Sequence, residues 1–173
     1  TLGGNLMTAS PVGDAAPALL ALDATVELAS FRRRRIVPLR AFFAGYRRTA
    51  LRADELLVAV RVAKPPPSLA RFYKVSKREL DDISSVSAAF AVWLEGGRVR
   101  EAALAFGGVA ATPVRASAAE QALVGQRLDD ASLRTCQRAV AAAFTPIDDV
   151  RGSAAYRSAM LTSLLAKFWA EAS

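Results

Sequence analysis

Three consecutive prolines, Pro65–Pro67, divide this chain. Successive prolines donate no ladder hydrogen bonds and stiffen the backbone into an extended form, so neither a helix nor the middle of a sheet runs through them. A boundary is expected at Lys64–Ser68, with one unit over 1–63 and a second over 69–173.

Before the break the pattern is mixed. Residues 1–11 read as loop. Gly13–Leu22 reads as a short helix that Asp14 caps or starts, with Pro17 tolerable in its first turn. Ala24–Ala29 and Arg34–Leu39 read as a strand pair across an arginine-rich turn, and Glu55–Val62 as the clearest strand of this half. A helix is expected from Pro38 through Phe42, Phe43 and Tyr46.

After the break, Ala70–Val75, Ser84–Leu94 and Val99–Val109 read as strands, the last two joined at Glu95-Gly96-Gly97-Arg98, a hairpin signal. Helical spacing then takes over in Ala116–Leu123, Asp130–Phe144 and Ser153–Glu171, the last with Tyr156, Met160, Leu164, Leu165 and Phe168 on one face. The fold class is α+β: an antiparallel sheet with helices, followed by a small domain whose three-stranded antiparallel sheet is packed by C-terminal helices. The expected core draws on Phe42, Phe43, Leu56, Leu57, Phe72, Phe90, Trp93, Phe106, Phe144, Leu164, Leu165, Phe168 and Trp169.

Composition narrows the chemistry. The chain has no histidine, which removes the usual general base and the commonest metal ligand. Its single cysteine, Cys136, cannot form an internal disulfide or alone hold zinc or an iron–sulfur cluster, and its apolar helical setting favours packing. This usage fits a reducing cytoplasm. No apolar run reaches the ~20 residues that a membrane span needs. The net charge of +7 owes much to Arg32–Arg35, Arg47-Arg48 and Lys77-Arg78. Two readings follow from these clusters alone: a basic nucleic-acid-binding module, and a structural docking domain with Arg32–Arg35 as a solvated turn.

The residues that point to a ligand are Thr1-Leu2-Gly3-Gly4-Asn5 and then Ser10-Pro11-Val12-Gly13-Asp14. Adjacent glycines let backbone N–H groups approach an anion where a Cβ would block them, and a helix start nearby adds its own free N–H groups. A chain that opens inside such a motif is expected to be a fragment with an incomplete site. Farther on, in Arg71-Phe72-Tyr73-Lys74, strand alternation puts Phe72 and Lys74 on one face and Arg71 and Tyr73 on the other. Arg78 with Asp81 or Asp82 reads as a surface ion pair.

Six motifs in order resemble the flavin-binding part of xanthine dehydrogenase, closest to the small subunit of bacterial two-subunit enzymes. They are Thr1 to Asn5, Ser10-Pro11-x-Gly13-Asp14-x-x-Pro17, and Glu55-Leu56-Leu57. Then follow Phe72-Tyr73-Lys74-x-Ser76-Lys77-Arg78-x-x-x-Asp82-Ile83-Ser84-x-Val86, Leu104-Ala105-Phe106-Gly107-Gly108-Val109-Ala110, and Asp149-x-Arg151-Gly152-Ser153-Ala154-x-Tyr156-Arg157. The resemblance implies that 1–63 is the second subdomain of an FAD-binding domain and 69–173 the C-terminal domain of a molybdenum hydroxylase flavoprotein. It implies cofactor contacts at Thr1, Leu2, Gly3, Gly4, Asn5, Asp14, Leu57 and Lys74, with no catalytic or metal-binding residue in this chain. It further implies that electrons pass from two [2Fe–2S] clusters through FAD to NAD while purine is hydroxylated at a molybdenum cofactor on another subunit. The partners would be the iron–sulfur domains, the molybdenum-binding subunit and NAD, with no nucleic acid and no membrane. Asp81-Asp82-Ile83 favours the xanthine type over the carbon-monoxide-dehydrogenase type of the same fold. The family's first FAD subdomain and its cysteine-rich domains are absent from the sequence, so this chain alone is expected to hold FAD weakly and to be inactive.

Overall fold

A computed structural model describes residues 1–78 and 82–172. In chain order the elements are α1 (Leu2–Met7), α2 (Ala15–Ala21), β1 (Thr25–Ala29), β2 (Arg34–Pro38), α3 (Leu39–Phe42), β3 (Phe43–Gly45), β4 (Arg48–Thr49) and β5 (Leu56–Arg61). They continue with β6 (Leu69–Val75), β7 (Val86–Glu95), β8 (Arg98–Gly107), β9 (Val114–Arg115), α4 (Ser117–Leu123), α5 (Asp130–Ala143) and α6 (Ala154–Ala172).

Every ladder described is antiparallel. One sheet runs β2-β1-β5, a small hairpin pairs β3 with β4, and a larger sheet runs β6-β7-β8-β9. The larger sheet thus has the three expected strands and a fourth, two-residue one. Its two faces carry different residues. Val86, Ala88, Phe90, Val92, Ala102, Leu104 and Phe106 face α4–α6 and build a core of large side chains with Leu161, Leu165 and Phe168. Phe90 meets both Phe106 and Phe168 edge-on, at centroid distances of 5.4 and 5.5 Å. The alternate residues Ala89, Ala91, Ala103 and Ala105 form the other face, and they pack in a second core with Ala16, Leu20 and Ala21 of α2 and with Val26, Leu28, Leu39 and Phe42. A face of methyl groups lets the helix lie close to the strands. Helix α2, although it precedes the prolines, therefore covers the sheet that follows them.

Some expectations change. Residues 1–11 read as loop, yet α1 forms there, capped by Thr1 and anchored by the buried Leu6. The helix expected through Tyr46 ends at Phe42, because the carbonyl of Phe42 is taken by the N–H of Ala50 as β3 and β4 pair. Leu56 and Phe72 are exposed rather than in the core, each lying on an edge strand of its sheet. On α6 Tyr156 points outward and Arg157 takes the inward place.

The arginine run splits by strand alternation. Arg32 and Arg33 lie in the exposed turn, while Arg34 and Arg35 project from β2. Arg34 and Arg61 both bind the buried Glu27 of the central strand. Arg35 grips the buried Glu55 with two hydrogen bonds, of 2.8 and 2.7 Å, and also reaches the carbonyl of Ala50. The Arg35 guanidinium outweighs burial and, with the N–H of Arg52, holds the Glu55 carboxyl down at about 2. Cys136 is buried, and that burial pushes its thiol up to about 12, as a packing residue requires.

Two outcomes follow. Because the folded-state value of Glu55 lies below its ordinary value of 4.5, its stabilisation is complete above that value and is lost as pH falls toward about 2. Glu55→Gln should therefore reduce the acid-side slope of stability over that window in denaturant melts, and an unchanged slope would contradict the pairing. Ala105→Leu should cost about 1–3 kcal/mol by forcing α2 off the sheet, measured by urea unfolding.

Candidate functional site

The N-terminal motif is held by its own backbone. The hydroxyl of Thr1 accepts the N–H of Gly4 at 3.1 Å, and the Thr1 carbonyl accepts the N–H of Asn5 at 3.0 Å. A Cβ on Gly4 would stand 3.0 Å from that hydroxyl, so glycine keeps the cap intact. The N–H groups of Leu2 and Gly3, in the first turn of α1, have no intrahelical acceptor.

The site residues form an unbroken chain of neighbours. Gly3 lies against Leu57 of β5, whose Cδ2 is 4.0 Å from where a Gly3 Cβ would be. The amide oxygen of Asn5 lies 3.3 Å from the corresponding point on Gly13. Asp14 follows at the N-cap position of α2, where it starts the helix as expected but makes no side-chain cap hydrogen bond. Its carboxylate turns away, taking the Lys74 ammonium at 2.8 Å on Oδ2 and the hydroxyl of Ser84 on Oδ1. Thr1, Leu2, Gly4, Asn5 and Lys74 are exposed, and Gly3, Asp14 and Leu57 half-buried. Contacts thus tie Gly3 to Leu57, Asn5 to Gly13 and Asp14 to Lys74, drawing α1, the loop before α2, β5 and β6 into one open wall.

Three groups that local pattern left without a role hold this wall in place. Lys74, Ser87 and Gly107 are cross-strand partners on β6, β7 and β8. The segment Pro11–Pro17 lies directly over that row. A Cβ on Gly107 would stand 2.5 Å from the Ser87 hydroxyl, 3.1 Å from Pro17 and 3.2 Å from the carbonyl of Pro11. The N–H of Gly108 donates to that same carbonyl at 2.7 Å. Gly108 has φ +81°, and a side chain there would strike the carbonyl of Ser85. Gly107-Gly108 therefore lets the loop bearing Asp14 reach the strand bearing Lys74. The second group is Ser84, fully buried, which holds Asp14. The third is Arg157, which binds the carbonyls of Ser85 and Gly108. The double glycine and the terminal arginine of the last motif were the signals for them, but nothing local tied them to Asp14.

Beyond Lys74, a basic cleft of about 440 Å3 is lined by Lys74, Val75, Ser76, Lys77 and Arg78. The expected Arg78 ion pair does not form with Asp82. That carboxylate instead accepts the backbone N–H groups of Ile83 and Arg78, which lower its pKa against the effect of burial. Asp81 lies outside the described residues. Among the described residues no cluster of acidic, histidine or cysteine side chains could hold a metal ion, and no helix is long and apolar enough to cross a membrane.

The donor set suits a nucleotide cofactor. Free N–H groups, a carboxamide and an ammonium with N–H bonds to spare serve phosphate oxygens. A carboxylate with unused lone pairs serves hydroxyl groups, and Leu57 offers an apolar surface.

Residues 1–65 match the family described as FAD binding domain in molybdopterin dehydrogenase, and residues 71–172 the family described as CO dehydrogenase flavoprotein C-terminal domain. Nicotinate hydroxylase of Emericella nidulans is 39% identical over 176 residues, covering 97% of this chain and 13% of that protein. The putative xanthine dehydrogenase FAD-binding subunit of Escherichia coli is 32% identical, covering 99% of this chain and 60% of that protein. Among solved structures, a carbon monoxide dehydrogenase from Hydrogenophaga pseudoflava superimposes with a TM-score of 0.90 at 31% identity, covering 96% of this chain and 58% of that one. This chain spans less than two thirds of the length of these proteins.

Gly107→Ala should lower stability by about 1–3 kcal/mol through overpacking against Pro11 and Pro17. An unchanged thermal midpoint would show that the Asp14 loop is not seated on the sheet.

Proposed function

The chain belongs to the FAD-binding flavoprotein family of the molybdenum hydroxylases, and from that premise we propose that its open wall is one side of an FAD site in an electron-transfer module. The observation that carries the reading is the meeting of Gly3 with Leu57, of Asn5 with Gly13, and of Asp14 with Lys74 along one surface. A bound FAD would supply the electron chemistry between iron–sulfur clusters and NAD.

The protein's own residues bind and orient. The first turn of α1, from Thr1 to Asn5, directs N–H groups and a carboxamide toward the phosphates. Asp14 keeps a lone pair on each oxygen for a cofactor hydroxyl. Leu57 would contact the cofactor through its backbone and by packing, and Lys74 would place its ammonium near it, where a cation favours negative charge on the reduced flavin or the phosphates. In this reading residues 1–63 form the FAD-binding unit and 69–173 the unit that follows it. Lys74 reaches back from the second to Asp14 of the first, so the site depends on both.

The finer reading is a xanthine dehydrogenase-like enzyme of the cytoplasm, acting on hypoxanthine or xanthine. Its molybdenum cofactor and [2Fe–2S] clusters are held by partner domains, and its electrons end on NAD. The absence of histidine supports placing the purine chemistry elsewhere. The sequence Asp81-Asp82-Ile83 supports the xanthine type.

Lys74→Ala in the assembled enzyme should weaken FAD retention about tenfold, as loss of one partly exposed charged hydrogen bond does, and slow NADH formation from xanthine. Unchanged flavin content together with an unchanged NADH rate would sink the assignment. Normal FAD binding with reduction of another acceptor would remove the NAD reading alone.

A further inference from the structure

Arg157 heads the largest fully buried side chains, at 2% exposure. A guanidinium is withdrawn from water at high cost unless its donors are paired, and here they are spent mostly on backbone. One terminal nitrogen donates to the carbonyl of Ser85 at 2.8 Å and to that of Gly108. The other binds Asp149 at 2.6 Å, and Nε reaches the carbonyl of Gly152 at 3.5 Å. Asp149 is itself fixed by the N–H groups of Arg151 and Gly152, at 2.7 and 3.2 Å.

What these bonds hold is informative. Ser85 follows Ser84, whose hydroxyl donates to Oδ1 of Asp14. Gly108 donates its N–H to the carbonyl of Pro11, three residues before Asp14. One route from the guanidinium therefore ends on the Asp14 carboxylate, whose other oxygen takes Lys74, and the second ends on the loop that carries it. Left to themselves, Asp14 and Lys74 would be a partly exposed pair, with side-chain exposures of 38% and 36%. Such a pair is too weak to hold two flexible side chains still. A buried hydroxyl fixed on one carboxylate oxygen removes that freedom and leaves the second oxygen aimed at the ammonium.

We propose that Arg157 and Ser84 are positioning residues for the Asp14–Lys74 pair, Arg157 by locking the carbonyls of Ser85 and Gly108 and Ser84 by orienting the carboxylate. The proposal rests on the reading that this pair faces the flavin dinucleotide. It assigns a role in the cofactor site to the last motif of the chain, far from the cofactor-binding motif in sequence.

The test uses the assembled protein, stripped of FAD and retitrated, with flavin fluorescence giving the dissociation constant and a melting curve giving stability. Ser84→Ala should raise the FAD dissociation constant about threefold to tenfold, the worth of one hydrogen bond, with little change in the melting midpoint of the FAD-free protein. In an Asp14→Ala background the same substitution should have no further effect, because the hydroxyl acts only through that carboxylate. Arg157→Lys keeps the charge but supplies one nitrogen where the guanidinium uses three, so it cannot hold the Ser85, Gly108 and Gly152 carbonyls and Asp149 all at once, and it should weaken FAD binding similarly. If that variant fails to fold, the Ser84 cycle still decides. Wild-type FAD affinity in Ser84→Ala, or a loss that adds fully to that of Asp14→Ala, overturns the positioning roles. Should Asp14→Ala and Lys74→Ala weaken FAD binding while Ser84→Ala does not, the flavin site stands and only this proposal falls. Unchanged affinity in Asp14→Ala and Lys74→Ala overturns both.

Discussion

Everything in this molecule turns on how closely the segment Pro11–Ala21 lies on the alanine and glycine face of β7 and β8. The distance between a helix and a sheet is set by the side chains between them. Here those are methyl groups at Ala89, Ala91, Ala103 and Ala105, and nothing at Gly107. The other face of the same strands carries Phe90, Leu104 and Phe106 under long helices. One sheet thus separates a thick core from a thin one. The thin one is what lets a loop from one unit reach a lysine from the other.

That close approach leaves little room for water, so the polar groups it buries must find partners within the protein. Most do. Ser84, Ser85 and Arg157 all hydrogen-bond, and the carbonyls of Ser85, Gly108 and Pro11 all accept. The Ser87 hydroxyl, under Gly107, is buried without a partner among the described residues, a cost of seating the loop so tightly. The same economy explains much of the basic composition. Arg35 serves Glu55, and Arg34 and Arg61 serve Glu27. Arg115 binds both Glu120 and Asp23, while Glu120 also accepts the N–H of Leu104 in the core. Of the run Arg32–Arg35, the two members on β2 pair with buried carboxylates, while the first two stay in the exposed turn.

The electrostatics of the site follow from this arrangement. Asp14 is tied on one side to a buried hydroxyl and on the other to a lysine that keeps N–H bonds free for a ligand. The basic cleft beyond it, with Lys77 and Arg78, extends the positive field outward.

Much of the fold was legible along the chain because its causes are local. Alternation marked β7 and β8, the Gly96-Gly97 pair marked their turn, and helical spacing marked α4 to α6. The order of short motifs carried the family. What local pattern misjudged were places where a distant partner outvoted it: α1 formed despite two glycines, and an arginine took an inward position that a tyrosine was expected to fill. Neither the neighbourhood of Asp14 with Lys74 and Ser84 nor that of Arg157 with Ser85 could be read from pattern. Those contacts join residues 60, 70 and 72 positions apart, and periodicity reaches no further than a turn or a hairpin. Which residues could form strands, helices and an anion-binding turn was written in one dimension, whereas the meeting of those residues at one wall came only from packing α2 against a sheet face with almost no side chains on it.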